Sequence, residues 1–237
     1  MWCIFLERRL EVPQEYRGKL DSLVMGAARD PSIIKSAFGG EPLKEGIGFE
    51  TSVLGIKYRV LTANNNIEAF FIDPLGREVD ASKLIIYMLN AFERILAGKV
   101  VYYRGRLVGI THLKGGASAQ LYEKRMTNYL AVEMDGSEAH EVEKAVNALG
   151  GRMMSHPTAT WSFEINPLNG ARIAVAFWQG EEGIPSGASI LFGEEAMDAG
   201  IPIEEIIVIT EMTIDRFVAF YRRESGRKPK LFSSLYL

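Results

Sequence analysis

Two adjacent carboxylates at the mouth of a turn are the strongest candidates in this chain for binding a cation or moving a proton. In FWQGEEGIPSGASILF, residues 177–192, an apolar run ends on Trp178 and turns at Gly180. It presents Glu181 and Glu182, turns again at Pro185 and returns to an apolar run. Read as strand, tight turn, strand, the segment holds both carboxylates on rigid strand ends. There they can act as oxygen ligands for a hard cation or as general acid and base. A plain solvated turn is the simpler account of the same Gly-Glu-Glu-Gly. Glu194, Glu195 and Asp198 follow soon after Phe192, and Glu204 and Glu205 follow Pro202. The helix dipole favours acids in a first turn and accounts for several of these without a ligand. If the segments fold back on one another, the acids gather at one rim. Carboxylates brought that close repel unless a cation neutralises them. The expected metal set is Glu181, Glu182, Glu194, Glu195 and Asp198. The expected ion is Mg²⁺, Mn²⁺ or Ca²⁺, because zinc would want His or Cys.

Basic and aromatic residues form the second group. In KVVYYRGR, Arg104 and Arg106 beside Tyr102 and Tyr103 could clamp an anionic substrate. His112 lies before Gly115-Gly116, where a loop histidine can act as a base near neutral pH. Arg104, Arg106 and His112 are therefore the expected substrate contacts. An ordinary strand pattern and a surface histidine are the plain alternatives. Ser118 lacks a Gly-x-Ser-x-Gly setting, which argues against a serine hydrolase. Gly-x-Gly occurs only as Gly46-Ile47-Gly48, so there is no glycine-rich phosphate loop. Asp73, Glu78 and Asp80 surround the turn in DPLGREVD, and turn chemistry explains them.

These residues need a scaffold. Pro13 can open a helix running to about Arg29, and Asp30-Pro31-Ser32 is a break and N-cap for a short helix over 33–38. GGEPLKEGIG, 39–48, reads as a linker or mobile loop. FETSVLGIKYRVL reads as one strand over 49–61, NNN as a turn, IEAFFI as the returning strand and DPLG as a further turn. Residues 84–96 have helical spacing with a stop at Gly98. KVVYYRGRLVGITHL is strand-like. Helices are expected over 121–132 and 138–149. TWSFEI, ARIAVAFW and ASILF are expected strands, with Trp161 and Trp178 as core aromatics. The C-terminal helix carries an expected break near Thr210. Without a regular strand–helix alternation, the expected class is α+β, mainly antiparallel sheet packed with helices.

Composition bounds the rest. The chain has 237 residues, 47% hydrophobic and 24% charged, with a net charge of −3. That fits a globular protein able to bury its own core. The expected organisation is a single globular unit over 1–237, with an N-terminal subdomain at 1–45 and a short C-terminal tail at 222–237 as a finer division. The mild negative charge gives no overall field to gather nucleic acid, and the basic tail alone argues for it. The one cysteine, Cys3, cannot form an internal disulfide and reads as a buried apolar residue. MWCIFL lacks the basic start of a signal peptide, and no apolar run is long enough to span a bilayer. A cytoplasmic protein without membrane contact is expected, with a small-molecule ligand or a homo-oligomer as the partners left open.

A resemblance sharpens this. The pieces IIYMLNA, GKVVYYR, ALGGR, AFWQGEEGIPSGASILF and IPIEEI make residues 83–217 resemble the bacterial and archaeal family called domain of unknown function thirty-seven eighty-six. Its strongest motif runs apolar strand, Trp, Gly, acidic triplet, aromatic, Pro, then Leu-Phe-Asp. Gly180, Glu181, Glu182, Pro185, Leu191 and Phe192 fit. Three positions depart: Gly183 replaces the third acid, Ile184 the aromatic and Gly193 the Asp, with Glu194 as the expected substitute. The resemblance implies no activity. From the residues, the expected function is a divalent-metal-binding protein, specifically a Mg²⁺- or Mn²⁺-dependent hydrolase acting on phosphoesters. The alternative is a non-catalytic cofactor- or partner-binding module, consistent with the lack of a recognisable nucleophile–base pair.

Overall fold

Leu54 and Gly55 both take positive φ, 50° and 76°. That is the backbone of a tight hairpin turn whose twist matches its strands. The run at 49–61 therefore doubles back on itself, where its composition suggests one strand. In the computed structural model, which describes residues 7–64 and 66–231, it forms β3 (Gly48–Val53) and β4 (Ile56–Ala63), with Val53 paired to Ile56. The chain divides into two compact units, 1–100 and 101–237.

In the first unit, β1 (Arg8–Leu10), β2 (Glu41–Pro42), β3, β4 and β5 (Asn66–Ile72) form an antiparallel sheet of order β1-β5-β4-β3-β2. The expected loop at 39–48 contains the short edge strand β2. Phe49, Val53, Ile56, Tyr58, Val60, Ala69 and Phe71 are buried. Register puts Phe49 opposite Val60 and Tyr58 opposite Phe71. Glu50, Ser52, Lys57 and Arg59 alternate with them and are exposed, as the two-residue period of a strand dictates. Helix α1 (Gln14–Arg29) buries Leu20, Leu23, Val24 and Ala27. Asp30 then caps α2 (Pro31–Phe38), its carboxylate accepting from the Ser32 amide at 3.0 Å. Asp73 closes the DPLG turn by accepting from the amides of Leu75 (3.1 Å) and Arg77 (2.7 Å). The long helix α3 (Glu78–Leu96) follows. Cys3 and the first residues of the expected extended start lie outside the described residues.

The second unit has a sheet of order β6-β10-β9-β8-β7, also wholly antiparallel. Its strands are β6 (Leu107–Val108), β7 (Arg152–Met154), β8 (Trp161–Ile165), β9 (Ile173–Trp178) and β10 (Gly187–Gly193). The strand-like run at 99–113 yields only β6, and residues 99–106 are irregular. Helices α4 (Gln120–Glu133), α5 (Ala139–Leu149), α6 (Glu195–Ala199) and α7 (Ile203–Ser225) complete the unit. Trp161 stacks on Phe177 at 4.8 Å, and Phe163 meets Phe217 of α7 at 4.7 Å. Trp161 also donates its indole N–H to Ser137 Oγ at 2.8 Å. On the other face of the same strands, Ser162, Glu164, Ala174 and Ala176 are buried too. Strands covered on both faces read as continuous apolar runs, as TWSFEI and ARIAVAFW do.

Helix α7 has no break at Thr210. Thr210 and Thr213 hydroxyls donate to the carbonyls of Ile206 (2.6 Å) and Ile209 (2.7 Å), which lets both sit inside a continuous helix. The fold is α+β with antiparallel sheets, as the sequence leads one to expect. No described helix is long and apolar enough to cross a membrane.

Candidate functional site

The Gly-Glu-Glu-Gly segment is a pinned hairpin turn. Glu181 bridges Ile184, and Gly183 has φ of 81°. A Cβ on Gly180 would stand 2.5 Å from the Ile184 carbonyl oxygen, so only glycine fits there. The Ser186 hydroxyl accepts from the Gly180 amide at 2.8 Å and donates to Asp135 Oδ1 at 2.7 Å. Gln179 donates to the same oxygen at 2.7 Å, and Lys230 lies 3.4 Å from Oδ2. The hydrogen bonds from Ser186 and then Gln179 hold the Asp135 carboxyl below its usual range. Glu181 and Glu182 themselves are exposed.

The expected acidic set does not converge. Glu181 and Glu182 lie beyond the Trp178–Gly187 end of the β9–β10 pair, whereas Glu194, Glu195 and Asp198 follow Gly193 at the other end. The six steps from Gly187 to Gly193 span about 20 Å at the usual strand rise. Each acid at the second end has its own arginine. Glu194 meets Arg106 at 3.4 Å, Asp198 meets Arg104 at 2.9 Å, and Glu195 meets Arg172 at 2.6 Å. The acids and the arginines Arg104 and Arg106, expected in different roles, are thus each other's partners. Among the described residues, no group of three His, Cys, Asp or Glu side chains is placed to hold a metal ion. The residues present do not fit an all-oxygen cation site. His112 is the exposed last residue of a 3₁₀ turn, Ile110–His112, whose Ile110 is buried, and its ring has no hydrogen bond or ion pair among the described residues.

Arg172 is where the second unit concentrates charge. Its side chain is 2% exposed. Glu195 takes one edge of the guanidinium, with Nε donating to Oε1 at 2.6 Å and Nη2 to Oε2 at 3.1 Å. Nη2 also donates to the Arg106 carbonyl at 2.8 Å. The Tyr103 ring lies 3.9 Å from Cζ, a cation–π contact. Nη1 is buried and has no hydrogen-bond partner among the described residues. Its closest charge is Glu164 Oε2, 3.8 Å away, which is too far for a hydrogen bond. Burial opposes the charge on Arg172, but the Glu195 hydrogen bonds and charge outweigh it, and the guanidinium pKa is held above its usual value. Glu164, buried in β8, accepts on both oxygens. Arg152 donates to Oε1 through Nε, at 2.7 Å, and through Nη2, and the Tyr103 hydroxyl reaches Oε2 at 3.3 Å.

Gly193 makes this arrangement possible. A Cβ there would stand 2.3 to 2.6 Å from the carboxyl atoms of Glu195. The missing side chain leaves room for the Glu195 carboxylate to fold back beside its own strand. The Glu195 carboxylate thus lies close to where a side chain at position 193 would begin, while Glu194 pairs with Arg106.

A cavity of 310 Å³ opens against this group, lined by Tyr103, Gly150, Gly151, Arg152, Glu164, Ile165, Asn166 and Arg172. The ALGGR piece supplies Gly150, Gly151 and Arg152. Four of its members, Tyr103, Arg152, Glu164 and Arg172, are functional candidates that acid spacing does not find. The available signal is a charge inside each of two buried strand runs, Glu164 in TWSFEI and Arg172 in ARIAVAFW. Opposite charges committed to burial must find each other.

The chain matches a family model described as "Domain of unknown function (DUF3786)" over residues 30–216. It matches no curated protein and no solved structure.

Proposed function

The chain belongs to this family of unknown function, and from its own geometry we propose that it is a non-catalytic binding module whose second unit admits a small polar molecule. The observation that carries this reading is Arg172, whose buried Nη1 lacks a hydrogen-bond partner among the described residues at the wall of an open cavity. Buried polar groups are nearly always satisfied, so an orphan beside a cavity marks a place where a ligand supplies the partner. The volume, 310 Å³, suits a small metabolite. The cavity wall has charge pairs but no serine, cysteine or histidine to act as nucleophile or base. The cation-dependent hydrolase expected from the acids draws no support from their placement.

Thermal-shift screening of the full chain against small polar molecules tests the proposal. Hits whose stabilisation is lost on Arg152→Gln support it. Phosphoester turnover that requires Mg²⁺ or Mn²⁺ and is abolished by Glu181→Gln with Glu182→Gln would refute it.

A further inference from the structure

The donor and acceptor balance of the cavity wall indicates what kind of molecule enters. Arg172 has five N–H donors. Its Nε and Nη2 serve Glu195 and the Arg106 carbonyl, which leaves Nη1. Arg152 spends Nε and one Nη2 hydrogen on Glu164, and its side chain is 72% exposed with further N–H groups facing outward. On the wall's one carboxylate, Oε1 takes two bonds from Arg152 and Oε2 takes one long bond, 3.3 Å, from the Tyr103 hydroxyl. Open donors, on Arg172 Nη1 and on Arg152, outnumber open acceptors. A cationic or donor-rich ligand would find only Glu164 Oε2 and the exposed Asn166 amide among the lining side chains.

We infer that the ligand carries an oxyanion, a carboxylate or a phosphate, and that this group docks between Arg172 Nη1 and Arg152. The inference rests on the binding-module reading and adds its chemical class. Glu195 does not compete, because it holds the opposite edge of the Arg172 fork. Tyr103 is the removable cover. Its ring lies over the guanidinium, yet it is 55% exposed and sits in the irregular segment 99–106. Swinging it aside opens Nη1 without disturbing a strand. The docked oxyanion then replaces the long 3.8 Å approach to Glu164 with a short charge-assisted hydrogen bond.

Calorimetry on the full chain tests this with inorganic phosphate, acetate and benzoate, set against the neutral isosteres acetamide and benzamide and the cation benzylamine. The expected result is saturable binding of at least one anion, none of the isosteres, and an affinity that falls with added NaCl. Arg152→Gln weakens that anion about tenfold or more, and Lys57→Gln in the first unit leaves it unchanged. Binding of phosphate alone identifies a phosphate group, and binding of carboxylates alone identifies a carboxylic acid. Anion binding that Arg152→Gln leaves intact overturns the inference. Binding of an amide or of benzylamine, lost on Asn166→Ala while no anion binds, also overturns it but leaves a binding module standing. If nothing binds, both readings fall.

Discussion

Replacing Glu195 by alanine removes the one carboxylate that satisfies a guanidinium buried to 2% exposure. Two charge-assisted hydrogen bonds are lost, at 2.6 and 3.1 Å. Bonds to charged groups contribute about 1.5–3 kcal/mol each, which gives about 3–6 kcal/mol. Arg172 retains the Arg106 carbonyl and the distant Glu164, which trims the loss. The expected cost is therefore about 3–5 kcal/mol, the range for breaking a buried pair from one side. Urea unfolding followed by tryptophan fluorescence reads it, since two of the three tryptophans, Trp161 and Trp178, lie in the second unit and Trp161 is stacked on Phe177 there. The Gly193→Asp change in the Glu195→Ala background should restore more than half of the loss. The new Cβ stands 2.3 to 2.6 Å from where the Glu195 carboxyl atoms stood, so the Asp carboxylate one bond further on falls within reach of Arg172. A cost below about 1 kcal/mol for Glu195→Ala would refute the reasoning, since Arg172 would then be satisfied some other way.

Three further outcomes are expected. Ser186→Ala removes the largest cause of the lowered Asp135 pKa, so its carboxyl should titrate closer to 3.8, measured by carboxyl NMR. Because the folded pKa is depressed, the stability that this network contributes is complete above the ordinary carboxylate range and is lost as pH falls from there through the lowered folded value. The variant's acid limb should be flatter. Burial, with a smaller opposing effect of Arg227, raises the Tyr221 phenol from 10.0 to about 12. The fold favours the neutral phenol, so this contribution is complete below pH 10 and disappears as pH climbs to about 12. Tyr221→Phe should reduce that alkaline loss in pH-dependent melts. Tyr103→Ala removes the ring over Arg172 and should destabilise the second unit by about 0.5–2 kcal/mol in urea titrations.

Much of the scaffold was legible because its signals are local. The Asp30 cap, the DPLG turn and the apolar periods of α1, α3, α4 and α5 depend on neighbours within a few residues. The misreadings come from choices that chain neighbours do not decide. Leu54 adopts positive φ despite its side chain, so a two-residue turn was hidden inside an apolar run. Thr210 looked like a helix break but bonds back to Ile206. KVVYYRGR has strand composition, yet only Leu107 and Val108 find a partner strand. The site failed for a related reason. Acid density along the chain says nothing about which acids share an end of a hairpin, and strand rise separates Glu181 from Glu195. The pairing of Arg172 with Glu195, and of Arg152 with Glu164, joins residues 23 and 12 positions apart. Only the sheet register brings them together.

In the proposed binding module the Arg172 guanidinium keeps one bonding position, Nη1, open to a ligand. Its side-chain N–H resonances in the ¹⁵N-labelled full chain test this most directly during titration with phosphate and with benzoate. Arg172 and Arg152 signals are expected to shift together and saturate with one of these anions, while Arg59 in the first unit does not follow them. Arg172 signals that stay fixed through both titrations would contradict an open Nη1.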